Sequence, residues 1–465
     1  MSQSEIDVPA TGEPRNGRRS EALYVRSQPR SRHAHWQNLG DGGQLLVVNG
    51  SQVFDVDRDV IEQLDAAAPL GDAAVERVLE AIGVLAPPRI DDTPLVAPPL
   101  YALSLAVAQK CNLGCTYCYA AQGDFGGTPK DMPLETALRS VQLLIDGAEP
   151  GARVNLAFLG GEPLTNRAVL RAATEHAVAL AQPRGIRVTF SITTNGTLLT
   201  EDDADFFERH GFAVTISLDG LRDVHDRQRP FRSGAGSFDR IIDRVRPLLA
   251  AQRKMQVSVR GTVTPGNIHL RDSLEYFLGL NFHSVGFSPV LHASTRSAEM
   301  SARDLDDFLE AMVECGLEFE RRVIRGERYA FMNIVNALRE IHRGTHRPYP
   351  CGAGAGYLGV SADGDLAACH RFVGDEKGRM GNLAVGIDRA AQNAWLAQRH
   401  VHNQLPCHDC WARYLCGGGC HHEVISRGRP ACDYIRGWLH YCLEAYSRIS
   451  RARPDWFDAP ASTSV

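Results

Sequence analysis

Apolar runs of strand length recur between residue 101 and about residue 290, and stretches of helical period separate them. "YALSLAVAQ", "RVNLAFLGGEP", "RVTFSITTNG", "FAVTISLDG", "QVSVRGTVT" and "SVGFSPV" carry the short continuous or alternating hydrophobic pattern of strands. "LETALRSVQLLIDGA" and "SFDRIIDRVRPLLAAQ" place apolar residues at three- and four-residue intervals, as an amphipathic helix does. Six such βα repeats predict an α/β fold with a parallel sheet. The spacing is short and even, which favours a TIM-type barrel or partial (β/α)6 barrel over an open sheet. Right-handed crossovers then put the C-terminal end of every strand on one rim, where barrel chemistry sits.

The pattern changes on both sides of this block. Upstream, "QLLVVNG" and "SQVFDVD" read as strands around an Asn-Gly turn, and "RDVIEQLDAA" and "DAAVERVLEAIGVL" read as helices. Residues 44–94 are thus expected to form a small two-strand, two-helix α+β module. "APPRIDDTPLVAPPL" (86–100) is a Pro-rich linker. The polar start, "MSQSEIDVPATGEPRNGRRSE", reads as a disordered tail without the apolar core of a secretory signal. The expected organisation is a tail over 1–20, module and linker over 21–98, barrel over 99–300, connecting helices over 301–350, a cysteine-rich domain over 351–450, and a tail over 451–465.

Composition narrows the class. The 465 residues are 44% hydrophobic and 23% charged, which is globular and long enough for several units. A net charge of −5 gives no electrostatic reason to expect nucleic acid or an anionic membrane as partner. No apolar run is long enough to span a bilayer, so a cytoplasmic location is expected. That compartment keeps thiols reduced, so twelve cysteines point to metal or redox chemistry rather than disulfides. Cys315, inside the helical pattern "DDFLEAMVECGLEFERRV", is most simply a core thiol. The other eleven fall in two blocks.

The first block, "CNLGCTYCYA", offers Cys111, Cys115 and Cys118 just after the first strand. A structural zinc site wants four ligands, whereas three ligands leave a position open for something else. On the same predicted rim lie "GGEP" (160–163), "TTNG" (193–196), "SLDG" (217–220) and Arg260. Turn propensity alone explains any one of these. It does not explain why a metal-ligand triad shares their rim. Zinc with a distant fourth ligand stays open as the alternative.

Cys-x3-Cys-x2-Cys with an aromatic residue before the last cysteine resembles the signature of the radical S-adenosylmethionine (radical SAM) enzymes. The resemblance implies that the three cysteines hold a [4Fe–4S] cluster. Its fourth iron would be chelated by S-adenosyl-L-methionine, whose reductive cleavage yields a 5′-deoxyadenosyl radical. It further implies that Gly160, Gly161 and Glu162 contact the methionine amine, and that the Tyr117 backbone lies against the adenine. Asn195 and Ser217 match positions near the ribose and carboxylate. Arg229, in "HDRQRP", and Arg260 match positions near the cofactor carboxylate or the substrate. Structural, salt-bridged arginines are the alternative for those two.

In the second block Cys351 and Cys369 are spaced Cys-x12-Gly-x4-Cys, with "SADGDL" as a hairpin turn between them. "CHDCWARYLCGGGC" then supplies Cys407, Cys410, Cys416 and Cys420, and Cys432 and Cys442 follow. Zinc knuckles are the plain alternative, although the x2-x5-x3 run does not divide into two CxxC pairs. The pattern resembles the SPASM domain of peptide-modifying radical enzymes, which implies two auxiliary iron–sulfur clusters. By that resemblance Cys351, Cys369 and Cys420 serve the first. Cys407, Cys410, Cys416 and a late cysteine serve the second, and Cys442 is preferred for the last place. The first cluster then has either an open iron or Cys432 as its fourth ligand. An open iron could take a substrate thiol.

The N-terminal module resembles the leader-peptide recognition elements of such enzymes, which add an extended peptide to a sheet edge; a packing cap is the alternative. "CHHEVISRGRPACDYIRGWLHYCLEAYSRI" resembles the radical maturation enzymes of quinohemoprotein amine dehydrogenase. That resemblance implies intrapeptide thioether cross-links from Cys sulfur to the methylene carbon of Asp or Glu in the small, Cys-containing γ subunit. An external electron donor such as flavodoxin or ferredoxin would be needed. Asp409, beside His408, and Asp219 at the rim are the expected base candidates. The alternatives are a formylglycine-forming enzyme like the anaerobic sulfatase maturases, another SPASM modifier of ribosomal peptides, and a non-enzymatic zinc protein that binds peptides.

Overall fold

A computed structural model describes residues 19–40, 42–85, 87 and 93–458. The tail expected over 1–20 lies almost entirely outside the described residues, as does the end of the chain after 458 and most of 86–92.

The six apolar runs form six parallel strands in chain order: Ala102–Gln109, Arg153–Gly160, Arg187–Thr194, Ala213–Ser217, Gln256–Val263 and Ser284–Pro289. Helices Leu134–Asp146, Arg167–Ala181, Glu201–His210, Phe238–Ala251 and Arg271–Gly279 lie between them. The strands read as near-continuous hydrophobic text because both faces are covered. Leu103, Leu105 and Val107 of the first strand are all fully buried.

The barrel is partial. Ser284–Pro289 is one edge of the sheet and does not pair with the first strand. The free side of the first strand is instead taken by Tyr357–Val360, which pairs with it in parallel, Tyr357 opposite Ala102. Asp365–Ala367, Arg379–Asn382 and Gly386–Ile387 extend the sheet in antiparallel fashion. The second cysteine block therefore grows out of the barrel sheet itself. Between the two run the helices Ala302–Ile324 and Met332–His342. Cys315 is buried inside the first of them, where its pattern placed it.

The N-terminal module holds three strands rather than two. Ala34–Asn38 pairs antiparallel with Gly43–Val47, which pairs with Gln52–Val56; helices Arg58–Ala67 and Asp72–Ala81 pack on them. "AHWQN" escapes a hydrophobicity reading because its alternate residues His35 and Gln37 are polar yet buried. That face lies on the long helix Cys432–Ala452. His35 Nε2 is 2.8 Å from His440 Nδ1, and Gln44 Nε2 donates to Leu443 O (2.7 Å) and Ser447 Oγ (2.8 Å). The module is thus fastened to the cysteine-rich domain. Among the described residues no helix is long and apolar enough to cross a membrane.

Candidate active site

The rim loops and the C-terminal domain enclose a cavity of about 570 Å3, within the usual range for small-molecule sites. Cys111, Cys115 and Cys118 line it on the barrel side. Two close contacts fix their loop. Gly160 has φ +139°, and a Cβ there would collide with the Ala108 carbonyl; a Cβ on Gly161 would collide with the Lys110 carbonyl. The "GG" of "GGEP" is therefore demanded by the backbone of the cysteine loop pressing on it. Asn195 Nδ2 lies 2.9 Å from Asn112 Oδ1 and 3.7 Å from Cys111 Sγ, tying the third rim loop to the first.

Gly160, Gly161, Tyr117, Asn195, Ser217, Arg229 and Arg260 all line the cavity. Glu162 does not. It is fully buried behind the glycines. Its Oε1 accepts from Leu164 N (3.0 Å) and Thr194 Oγ1 (2.7 Å), and Oε2 accepts from Asn195 N (2.7 Å). Burial pushes its pKa up despite these bonds. Through these bonds Glu162 braces the second rim loop against the third.

Asp219 is likewise sealed off. The Tyr117 hydroxyl donates to its Oδ2 (2.5 Å), Thr262 N donates to Oδ1 (2.9 Å), and Arg229 Nη1 stands 3.9 Å away while donating to the Tyr117 oxygen (2.5 Å). Burial raises Asp219, with Arg229 pulling the other way. Neither this carboxylate nor Asp409 reaches the cavity. Asp409 sits in a short helical turn, 62% exposed, and pairs with His408 Nδ1 at 2.7 Å. Both base candidates are therefore displaced from the open volume: one is held by its neighbours, the other faces solvent.

The opposite wall comes from the second block. Cys420, Glu423, His370 and Arg371 line the same cavity. Arg371 Nη1 reaches Glu423 Oε1 at 2.8 Å and Cys420 Sγ at 3.7 Å, and its guanidinium lies over the Tyr119 ring. Of these, His370, Arg371 and Glu423 were not singled out beforehand. The available signal was adjacency: "CHR" and "CHHE" set them directly after cysteines.

Beyond Cys420 lies a second, smaller cavity of about 70 Å3, lined by Cys407, Cys410, Cys416, Cys420 and Cys432. The run Gly417–Gly419 has positive φ throughout, and a Cβ on Gly417 would strike Pro350. Cys432 shares this small cavity with Cys407, Cys410 and Cys416, while Cys420 lines the larger cavity as well. Cys442, the expected late ligand, is fully buried elsewhere, with Glu320 as its charged neighbour. The reason is helical rise. Cys432 opens the helix Cys432–Ala452, and Cys442 lies roughly 15 Å further along it. Cys351 and Cys369 lie in each other's neighbourhood, and Cys420 is a neighbour of both. Burial pushes Cys369 up to about 12.

Among the described residues no three His, Cys, Asp or Glu side chains are drawn close enough to hold a single metal ion. Cys111, Cys115 and Cys118 line the larger open volume and Cys407, Cys410, Cys416 and Cys432 the smaller, with Cys420 on both, which leaves room for a multi-atom centre. Among the described residues Arg229 Nε is buried and has no hydrogen-bond partner, and Arg229 neighbours Cys111 and Cys115 of the triad. An orphaned guanidinium donor beside three thiols suits an anionic ligand.

Residues 105–269 match the family model of the radical SAM superfamily. The chain thus carries a radical SAM domain on a partial barrel, followed by a SPASM-like cysteine cluster. Among its curated relatives is the serine-type anaerobic sulfatase-maturating enzyme of Klebsiella aerogenes, 26% identical over 389 residues, 79% of this chain and 92% of the relative. The cysteine-type enzyme of Clostridium novyi (strain NT) is 25% identical over 327 residues, 67% of this chain and 85% of the relative. The solved structure of native anSMEcpe with bound AdoMet and Cp18Cys peptide superposes with a TM-score of 0.62 at 20% identity, covering 76% of this chain and 99% of that one. That likeness is one of fold.

Proposed function

We propose that this protein is a radical SAM enzyme that modifies a side chain of a peptide or protein. One observation carries the reading: a single cavity joins the open cysteine triad of the barrel rim to Cys420 of the second cysteine block. Cys111, Cys115 and Cys118 would hold a [4Fe–4S] cluster. Gly160, Gly161, Asn195, Ser217 and Arg229 would hold S-adenosyl-L-methionine, with the orphaned Arg229 Nε supplying a donor for its carboxylate. Cys407, Cys410, Cys416 and Cys432 would ligate one auxiliary cluster, and Cys351, Cys369 and Cys420 another. Bound, these groups supply one-electron cleavage of the cofactor, hydrogen abstraction, and an exit for the surplus electron. The chain's own residues do the rest. Tyr117 and Asp219 hold Arg229 in place, the paired glycines let the second loop approach the cysteines, and the C-terminal wall shields the cavity from bulk water.

The curated relatives support a formylglycine-forming reaction on a Ser or Cys of a protein substrate. A second reading rests on a specific observation. With Cys432 taken as the partner of Cys407, Cys410 and Cys416, whose cavity it lines, Cys351, Cys369 and Cys420 are left as a set of three. An iron left open there would accept a substrate thiolate, as thioether formation to an Asp or Glu methylene carbon requires. On that reading the substrate is a small Cys-containing protein such as the dehydrogenase γ subunit, and the electron donor a flavodoxin or ferredoxin.

Anaerobic reconstitution tests both. The reduced protein is incubated with S-adenosyl-L-methionine and either a sulfatase-type peptide or a γ-subunit peptide. Release of 5′-deoxyadenosine with a hydrazide-reactive peptide product supports the formylglycine reaction. Loss of two hydrogens together with an alkylatable thiol supports the cross-link. A colourless protein holding zinc and no sulfide overturns the whole reading.

A further inference from the structure

Cations are spread unevenly around the thiols. In the large cavity, Arg229 stands 3.9 Å from the carboxylate of Asp219. Arg371, 3.7 Å from Cys420 Sγ, is paired with Glu423 at 2.8 Å. Arg260 donates to Ser288 Oγ and is exposed, so solvent screens its charge.

The small cavity is different. Its charged lining is Arg413, Glu423, Arg429 and Arg436. Glu423 is taken by Arg371, and Arg436 pairs with Asp433. Arg413 and Arg429 bond neutral acceptors only, among the described residues. Arg413 is 6% exposed. Its Nη1 donates to Arg32 O (2.6 Å) and Cys410 O (3.2 Å), and its Nη2 to Asn49 Oδ1 (3.0 Å). Its Nε is buried with no hydrogen-bond partner among the described residues. Arg429 donates from Nη1 to Gly418 O and from Nη2 to Gln404 Oε1, each at 2.6 Å. Two cations without carboxylates thus line one cavity with Cys407, Cys410, Cys416 and Cys432. Taking a cation out of water without a counter-charge is costly. Thiolates, or an anionic centre bound to them, offset that cost.

We propose that Arg413 and Arg429 are positioning residues that raise the reduction potential of the small cavity's cluster, making it the most easily reduced of the three. Uncompensated positive charge favours the state that holds one more electron, and net charge is among the terms that set a cluster's potential. The inference rests on the cluster assignments of the proposed function and adds the order in which the clusters take electrons.

The test is a dithionite titration of the reconstituted holoenzyme followed by electron paramagnetic resonance, one electron per cluster. Cys410→Ala identifies this cluster's couple by its absence. In the wild type that couple should lie highest. In Arg429→Gln its reduction equilibrium should fall about tenfold, about 59 mV for a one-electron couple, with the other two couples unmoved. Arg429→Lys keeps the charge and should keep the couple. Iron and sulfide per chain are measured in each protein, because a merely structural role would cost iron without moving a potential. A wild-type couple that is not the highest overturns the proposal. So does an Arg429→Gln protein of full iron content whose couple has not moved. If Arg429→Gln sheds the cluster, the wild-type order decides. A protein that takes up no iron overturns this inference and the cluster reading together, whereas three couples in another order overturn this inference alone.

Discussion

At the scale of single residues, the site is built from groups whose freedom has been removed. Asp219 looks from the sequence like a free rim carboxylate, yet Tyr117 and Thr262 N–H occupy its oxygens. What remains for it is to hold Tyr117, and through Tyr117 the guanidinium of Arg229. Gly161 is constrained in the opposite sense, by lack of space. A Cβ there meets the Lys110 carbonyl and Gly123 Cα. Both belong to the loop that carries the triad, so the backbone must yield rather than a flexible side-chain tip. Gly161→Ala is expected to destabilise the fold by about 1–3 kcal/mol, the usual cost of overpacking. It should also lose iron selectively from the triad. Denaturation midpoints and iron per chain, compared with those of a surface Gly→Ala control at Gly279, check this. Gly279 has no atom near its Cβ position and no positive φ.

At the scale of elements, the six barrel strands were legible because burial on both faces writes apolar text, and apolar text needs no knowledge of the partner. The first strand of the module was not, because its burial depends on a helix some 400 positions away in the chain. His35 is stacked on Trp411 at 3.8 Å and meets His440 at 2.8 Å, so a polar pattern is dry in the folded protein. This joint makes an acid-sensitive prediction. Burial, first, and then His440 and Arg30 lower His35; burial, then Arg26 and Arg30, push His440 down to about 3. In the unfolded chain both titrate near 6.5. Above that pH both states are neutral there and the pair leaves stability flat. As pH falls below about 6.5 the unfolded chain takes protons that the folded one refuses, so stability drops by up to about 1.4 kcal/mol per pH unit for each histidine. His440→Gln should remove one proton's worth of that slope between pH 6.5 and 5. Denaturation midpoints against pH for the two proteins show it, and equal slopes would place the acid sensitivity elsewhere.

At the scale of the whole molecule, the two cavities share one thiol: the triad lines the large one, Cys432 lines the small one, and Cys420 lines both. On the proposed reading an electron released in the large cavity would have Cys420 as its nearest way to the small one. The sequence displays every one of these thiols but not their grouping. Cys442 stands in apolar and aromatic text, "WLHYCLEAY", whereas the grouping depends on where the helix Cys432–Ala452 begins. The start of that helix, Cys432 with Ile435 and Arg436, lines the small cavity together with Cys416. The interior of the same helix is core, and Cys442 packs there without exposure. Two substitutions on one helix therefore separate ligand from packing. Cys432→Ala should lose one cluster, about a third of the bound iron if three clusters are present, and change the visible absorption to match. Its folding should survive, since the residue is only partly buried. Cys442→Ala should keep the full iron content and instead lose about 1 kcal/mol of stability through the gap in the core. If Cys442→Ala sheds the iron while Cys432→Ala keeps it, the grouping is wrong. Cys432 would then be free to complete the set of Cys351, Cys369 and Cys420, the place offered to a substrate thiol would close, and with it the structural case for cross-linking.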